Sequence, residues 1–203
     1  MKKYRSDSIF NAEQVKIMEI FMRHIKIIKS ISLIISIFLI TSCSNNSAMK
    51  PEDFKNKEPR LIIEEYLSGN VKAWGVLQNR SGKVTRQFSA NLKGTWDGKQ
   101  LILKEKFNWD DGEVQDREWI INKIDEHNYE GTAGDVVGKA IGYSYGPAFK
   151  FEYVLLVPVK GKELKITFDD WIFKQDDRVA INRATMTKFG FKVAELTVVF
   201  VKD

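Results

Sequence analysis

The feature that most constrains the fold is an alternation of apolar and polar residues with a period of two, beginning at Val71. In residues 101–109, 151–157 and 164–168, apolar side chains return at alternate positions. This pattern is typical of β-strands that bury one face and expose the other. The chain beyond residue 71 is therefore predicted to be all-β.

Turn signals separate the apolar runs, and the first four recur about every 14 to 16 residues. This spacing fits strands of about ten residues joined by tight hairpins. We count eight to ten strands. Long hairpins in simple succession favour an antiparallel up-and-down barrel over a sandwich, because closure leaves no sheet edge. The signals are Asn79-Arg80-Ser81-Gly82, Asp97-Gly98, Asp110-Asp111-Gly112, Glu126-His127-Asn128, Lys160-Gly161 and Asp176-Asp177.

One short helix is predicted before the strands. Residues 60–67 place apolar side chains at helical spacing, and Ser68-Gly69 ends the segment. A helix, a glycine and then Trp74-Gly75 entering the first strand resemble the opening of lipocalins. The predicted domain is a lipocalin-like barrel over residues 60–203, and a barrel of about eight strands encloses a packed or ligand-sized interior.

The N-terminal region has the layout of a secretory signal peptide, with a basic stretch before the apolar run 31–40. The uncharged stretch 30–42 is too short for a spanning helix, which needs about 20 residues. Residues 1–42 are therefore predicted to be a leader. Its first 21 residues carry three acidic side chains, so the true start is expected at Met22 or Met18.

The leader ends in Leu39-Ile40-Thr41-Ser42-Cys43, which resembles a bacterial lipobox. The resemblance implies that Cys43 is lipidated and becomes the first residue. Ser44 is not the aspartate associated with inner-membrane retention, so we expect an outer-membrane anchor facing the periplasm. Residues 43–59 would form the lipidated cysteine and a flexible tether. The alternative is a chance cysteine after an ordinary signal peptide.

The net charge of +5 is concentrated in the leader. Residues 1–42 hold seven basic and three acidic side chains, whereas the rest holds 25 and 24. Because the body is almost neutral, we expect no nucleic-acid partner. With one cysteine and two histidines in the chain, we also expect no metal and no cofactor.

Residues 131–147 hold five of the thirteen glycines. They could form a mobile lid or a strand that lets a ligand approach the backbone, or they could simply bend the chain. Asp169 and Asp170 follow each other on a strand, so one of them could point inward. A hairpin about Asp176-Asp177 would bring it near Arg183, and we predict an inward Asp–Arg pair that is either structural or binds a polar headgroup.

The aromatic side chains mostly occupy apolar strand positions, which indicates a core or a cavity for an apolar ligand. His127 is the one histidine after the leader, and its turn position predicts a solvated residue. The candidate ligand-binding residues are Trp74, Trp96, Tyr153, Asp170, Trp171 and Arg183.

Several longer motifs resemble the bacterial lipoproteins called domain of unknown function 3833, over about residues 60–203. The resemblance implies an envelope lipoprotein and no assigned activity or site residue. The motifs are Lys72-Ala73-Trp74-Gly75, Gly94-Thr95-Trp96-Asp97-Gly98, Asp110-Asp111-Gly112-Glu113, Gly131-Thr132-Ala133, Asp135-Val136-Val137-Gly138, Phe168-Asp169-Asp170-Trp171 and the nine residues 182–190.

Three functional classes follow from these observations. The first is a binding module that holds a small apolar or lipid-like ligand in the barrel; a completely filled interior would exclude it. The alternative is a non-enzymatic structural or interaction protein of the envelope with a packed core. An enzyme is not expected, but convergent polar groups and a strongly perturbed Asp170 would favour one.

Overall fold

A computed structural model of the chain describes residues 48–159 and 161–203. The expected leader and Cys43 lie outside the described residues. Among those described, no helix is long and apolar enough to cross a membrane. A 3-10 helix spans Pro51–Phe54, and α1 spans Ile63–Tyr66. The strands are β1 Gly69–Asn79, β2 Val84–Trp96, β3 Gln100–Trp109, β4 Val114–Lys123, β5 Asn128–Thr132, β6 Ala140–Tyr145, β7 Ala148–Val159, β8 Lys162–Lys174, β9 Val179–Lys188 and β10 Phe191–Lys202.

The ten strands form a closed antiparallel barrel in which each strand pairs with its neighbours in the chain. β1 pairs with β10, with Val71 opposite Lys202, and this pairing closes the sheet. Closure satisfies the hydrogen bonds that two edge strands would otherwise leave open. The predicted all-β up-and-down barrel is confirmed, at the upper end of the predicted strand count.

The core lies inside the barrel, because alternate side chains of every strand point inward. Burying side chains of this size stabilises a fold by roughly 1.5–3 kcal/mol each. Residues 49–203 form one compact unit with a closed sheet and a continuous core, so this part holds the elements it needs to fold by itself. The largest fully buried side chains are Phe149, Leu61, Ile63, Leu101 and Val71.

Residues 61–67 close one end of the barrel, and we call this segment the plug. Ile63 is fully buried, and the Tyr66 hydroxyl donates to the carbonyl of Arg178 at 3.0 Å. The plug lies so close to β2 that a Cβ on Gly94 would stand 2.0 Å from the Leu67 carbonyl oxygen. Glycine at position 94 therefore permits this contact.

The helix in the plug is shorter than the predicted 60–67. The backbone N–H of Leu61 donates to the Gly146 carbonyl at 2.7 Å, and Ile62 is extended. This attachment to the β6–β7 turn delays the first helical residue to Ile63.

The end of the expected flexible tether packs on the outside of the barrel. Phe54 lies with its ring centroid 6.1 Å from Trp171 and 5.5 Å from Phe173. The structure therefore differs from the expected tether over 43–59, since residues 51–54 form a helical turn that covers two aromatic rings.

Candidate functional site

The barrel encloses a cavity of about 100 Å³ above the plug. Ile63 and Leu67 form its floor. This volume is enough for several water molecules or for a small part of a ligand. The interior is therefore not completely filled by side chains. Aromatic rings make up much of the wall, and they are Phe88, Phe107, Trp119, Phe149, Phe151, Tyr153 and Phe200.

Five strands bring one polar side chain each to this cavity, and we call the set the polar cluster. The Tyr153 hydroxyl donates to one Asp170 carboxylate oxygen at 2.9 Å, and the Asn182 amide donates to the other. Asp170 is thus fully engaged by its neighbours. The members are Glu105 on β3, Arg117 on β4, Tyr153 on β7, Asp170 on β8 and Asn182 on β9.

Arg117 reaches from the cavity wall to the loop between β5 and β6. Its guanidinium donates to an Asp135 carboxylate oxygen at 2.7 and 3.1 Å, and its side chain is only 17% exposed. Charge-assisted hydrogen bonds hold this half-buried pair together.

The loop that carries Asp135 fills a gap in the barrel wall. β5 and β6 are short, so β4 before Ile120 and β7 after Glu152 lack a strand between them. The Val137 N–H donates to the Val154 carbonyl at 2.8 Å, and the Leu156 N–H donates to the Asp135 carbonyl at 2.9 Å. This part of 131–147 therefore acts as wall, and its Gly131 lets the Phe151 ring approach within 2.4 Å of where a Cβ would stand.

Burial changes the protonation of the two carboxyls of the polar cluster. Desolvation raises the pKa of Glu105 to about 7, against a lowering by the Arg117 charge and a further rise from Asp170 and Asp135. Desolvation also raises the pKa of Asp170 to about 6, while hydrogen bonds from Asn182 and Tyr153 oppose the rise. Each carboxyl can therefore gain or lose a proton close to neutral pH.

These raised pKa values predict that the free energy of unfolding falls as the pH rises from about 5 to 7. The ordinary pKa values are 4.5 for Glu105 and 3.8 for Asp170, so the folded chain holds more protons in this window. Each group contributes a slope of up to about 1.4 kcal/mol per pH unit. Urea denaturation at several pH values measures how the free energy of unfolding depends on pH. Glu105→Gln should flatten the profile above pH 6, and an unchanged profile would contradict the assignment.

Two candidate residues from the sequence, Tyr153 and Asp170, line the cavity. Trp96 is on the inward side of β2, near its end, and packs against the core without lining the cavity. All three side chains point inward, as the alternation of inward and outward positions along a strand requires.

The other three candidates lie on the outside of the barrel. Trp74 is 49% exposed, and Trp171 lies opposite Arg183 on neighbouring strands, under Phe54. Arg183 is 68% exposed and its ion pair is with Glu195, at 3.7 Å. The predicted inward Asp–Arg pair is therefore wrong. Arg183 lies opposite Trp171 and shares its outer face of the sheet, whereas Asp170 is on the inner face.

His127 lies in the β4–β5 turn away from the cavity, stacked on Tyr145 with ring centroids 4.1 Å apart. Its Nδ1 is 2.9 Å from the Ser144 carbonyl oxygen. The predicted solvated histidine is thus partly covered. Within the described residues, no group of three His, Cys, Asp or Glu side chains could hold a metal ion.

Sequence reasoning missed Glu105 and Arg117, although a signal for both was present. Glu105 is an even number of positions from Leu101, Leu103 and Phe107 and so points to the same, inner face of the sheet as they do. Arg117 is likewise on the inner face with Trp119. A charged residue at an inward strand position indicates a buried charge that needs a partner or a ligand.

The fold and the cavity define a ten-stranded lipocalin-like barrel with polar groups inside it. The family model described as protein of unknown function (DUF3833) matches residues 37–202. The chain belongs to this family. No curated protein matches the sequence.

Solved structures with the same fold include the following two. The S-type phycobiliprotein lyase CPES from Guillardia theta aligns with a TM-score of 0.54 at 9% identity, over 77% of this chain and 98% of its own. A protein of the DUF3598 family from Nostoc punctiforme aligns with a TM-score of 0.52 at 14% identity. That alignment covers 72% of this chain and 51% of the Nostoc protein. At these identities the likeness concerns the fold alone.

Proposed function

We propose that this chain is a bacterial envelope lipoprotein that binds a small apolar or amphipathic ligand inside the barrel. The observation that carries the proposal is the cavity of about 100 Å³, walled by aromatic rings and supplied with a polar cluster. Ligand sites in proteins are typically apolar concavities with a few placed polar groups. A neighbour in fold is named a phycobiliprotein lyase, so a barrel of this shape has a precedent for a role beyond a structural one.

Native mass spectrometry of residues 44–203, purified from a bacterial host, tests the binding. We expect a discrete small-molecule adduct that solvent extraction releases. Ala73→Phe should abolish the adduct, because Ala73 is buried and lines the cavity. Lys72→Phe is the matched control, since this side chain is on the outer face of the same strand. A wild-type protein free of adduct, also after incubation with host lipid extract, would favour the interaction protein.

The lipid anchor on Cys43 is the second part of the proposal, and the lipobox-like sequence supports it. In the full-length chain expressed in a bacterium, a clickable fatty acid should label the wild type and leave Cys43→Ser unlabelled. Lipidation would give the wild type several acyl chains, which together anchor a protein stably. The wild type should therefore also remain in the membrane fraction at high salt. Equal labelling of the two chains would reject Cys43 as the modified residue.

A catalytic role is a second candidate, favoured by the pKa values near 7 and 6 of two carboxyls in one cavity. General acid–base catalysis works best with a pKa close to the working pH. If the protein is an enzyme, the extracted compound should change in mass during incubation with the wild type. Glu105→Gln should then leave it unchanged, whereas a pure carrier returns the same compound from both.

A further inference from the structure

The chemistry of the cavity narrows the ligand class beyond an apolar or amphipathic molecule. We propose that the ligand carries a protonated amine, which forms an ion pair with Glu105 inside the aromatic wall. This inference rests on the proposed function, because it concerns the same cavity. Three observations support it: the excess of carboxyl groups over cations in the barrel, the aromatic rings beside Glu105 and the volume of the cavity.

The first observation is that carboxyls outnumber cations inside the barrel wall. Arg117 faces Glu105, Asp135 and Asp170, and its side-chain hydrogen bonds go to Asp135, at 2.7 and 3.1 Å. Asp170 accepts hydrogen bonds from Tyr153 and Asn182. Among the described residues, no ion pair reaches Glu105. Glu105 is therefore the carboxyl that a cation from outside the chain can neutralise.

The second observation is the ring system beside this carboxyl. Trp119 lines the same cavity as Glu105, and its ring centroid is 5.2 Å from those of both Phe151 and Tyr153. On the other side, the Arg117 guanidinium already stands 5.9 Å from the Phe107 ring. Aromatic faces attract cations, most strongly where the cation is desolvated. A carboxylate framed by rings thus favours an amine and its hydrocarbon part together.

An anionic head would be opposed by the same groups. It would meet Glu105 and Asp170, and Arg117, the one cation lining the cavity in the described part of the chain, is already ion-paired to Asp135. A neutral hydroxyl could accept or donate a hydrogen bond but would leave the charge of Glu105 uncompensated. The cavity of about 100 Å³, with Ile63 and Leu67 at its floor, holds a primary amine and a short part of its chain.

The amine should bind with a defined pH dependence. Glu105 has a pKa of about 7 in the free protein and must be ionised to pair with the amine. The groups that face it are Arg117, Asp135, Tyr153 and Asp170. An alkylamine stays protonated from pH 5.5 to 8. Affinity should therefore fall as the pH drops below 7, by up to about tenfold per pH unit.

The test uses octylamine, octanol and octanoate, which share one chain and differ in the head. Binding to residues 44–203 is measured at pH 8 by calorimetry and by tryptophan fluorescence. We expect octylamine to bind at least tenfold more tightly than the other two, and to lose at least tenfold in affinity at pH 5.5. Glu105→Gln should remove the preference and retain octanol binding, which reports an intact cavity. Glu118→Gln, on the outer face of β4, is the matched control.

The outcomes separate the two proposals. If octanol or octanoate binds as tightly as octylamine, or if the preference survives in Glu105→Gln, the amine inference is overturned and ligand binding stands. If none of the three probes binds to the folded protein, the proposed binding function fails and the inference fails with it.

Discussion

Arg117→Met is expected to lower the free energy of unfolding by about 1.5–3 kcal/mol, the usual contribution of hydrogen bonds to a charged group, because the Arg117–Asp135 pair is half-buried, with side chains 17% and 30% exposed. The variant leaves the Asp135 carboxylate without its partner and removes the positive charge that stabilises ionised Glu105. Methionine keeps most of the side-chain volume, so the loss reports charge more than packing. Urea denaturation at pH 7.5 measures the difference from wild type.

Lys104→Met is the control for this variant, because Lys104 forms an exposed pair with Glu118, at 3.5 Å. Its loss should be at most about 1 kcal/mol. Lowering the pH to 5.5 should reduce the Arg117→Met deficit, since protonation of Glu105, whose pKa is about 7, removes a charge that Arg117 stabilises. Equal losses of unfolding free energy for the two variants, or an Arg117→Met deficit that does not change with pH, would show that the Arg117 charge stabilises the fold no more than an exposed charge does.

The barrel could be predicted because its two signals are local. Alternation fixes which side chains face the core, and short turn sequences such as Asp97-Gly98 fix where the chain reverses. Ten strands in succession then leave closure as the simplest way to remove both edges. Alternation also indicated that Tyr153 points inward and that one of Asp169 and Asp170 does, and the structure shows that it is Asp170.

The Asp–Arg pair was predicted wrongly because closeness along a hairpin does not decide which face a side chain occupies. Arg183 lies directly opposite Trp171, so it shares the outer face, while Asp170 lies opposite Ala184 on the inner one. A shift of one residue in register reverses the face of every side chain in a strand. The turn alone does not fix that register from the sequence.

The wall loop and the plug could not be read from local pattern. The loop residue Asp135 reaches Arg117 only because β5 and β6 end early and leave a gap, which is a property of the finished sheet. The plug enters the barrel through contacts to Gly94 and Gly146, far away in the sequence. Both features shape the cavity, so the candidate site depends on tertiary contacts more than the fold does.

Buried charge in this barrel is difficult to explain by stability alone. Apolar residues of similar volume usually replace a buried ion pair at no loss of stability or with a gain. Glu105 and Asp170 also cost stability near neutral pH, since the folded chain holds them with raised pKa values. A stability cost concentrated around one cavity is the pattern expected of a site that binds or reacts.

Ile63→Ala is expected to lower the free energy of unfolding by about 2–5 kcal/mol, because Ile63 is fully buried and forms the floor of the cavity. The same change enlarges the cavity, so an alkanol longer than octanol should gain affinity relative to octanol. Ile124→Ala, at a turn position that is 57% exposed, is the control and should change stability by about 0.5 kcal/mol or less. Destabilisation without any change in preferred chain length would place the ligand away from the plug and remove Ile63 from the site.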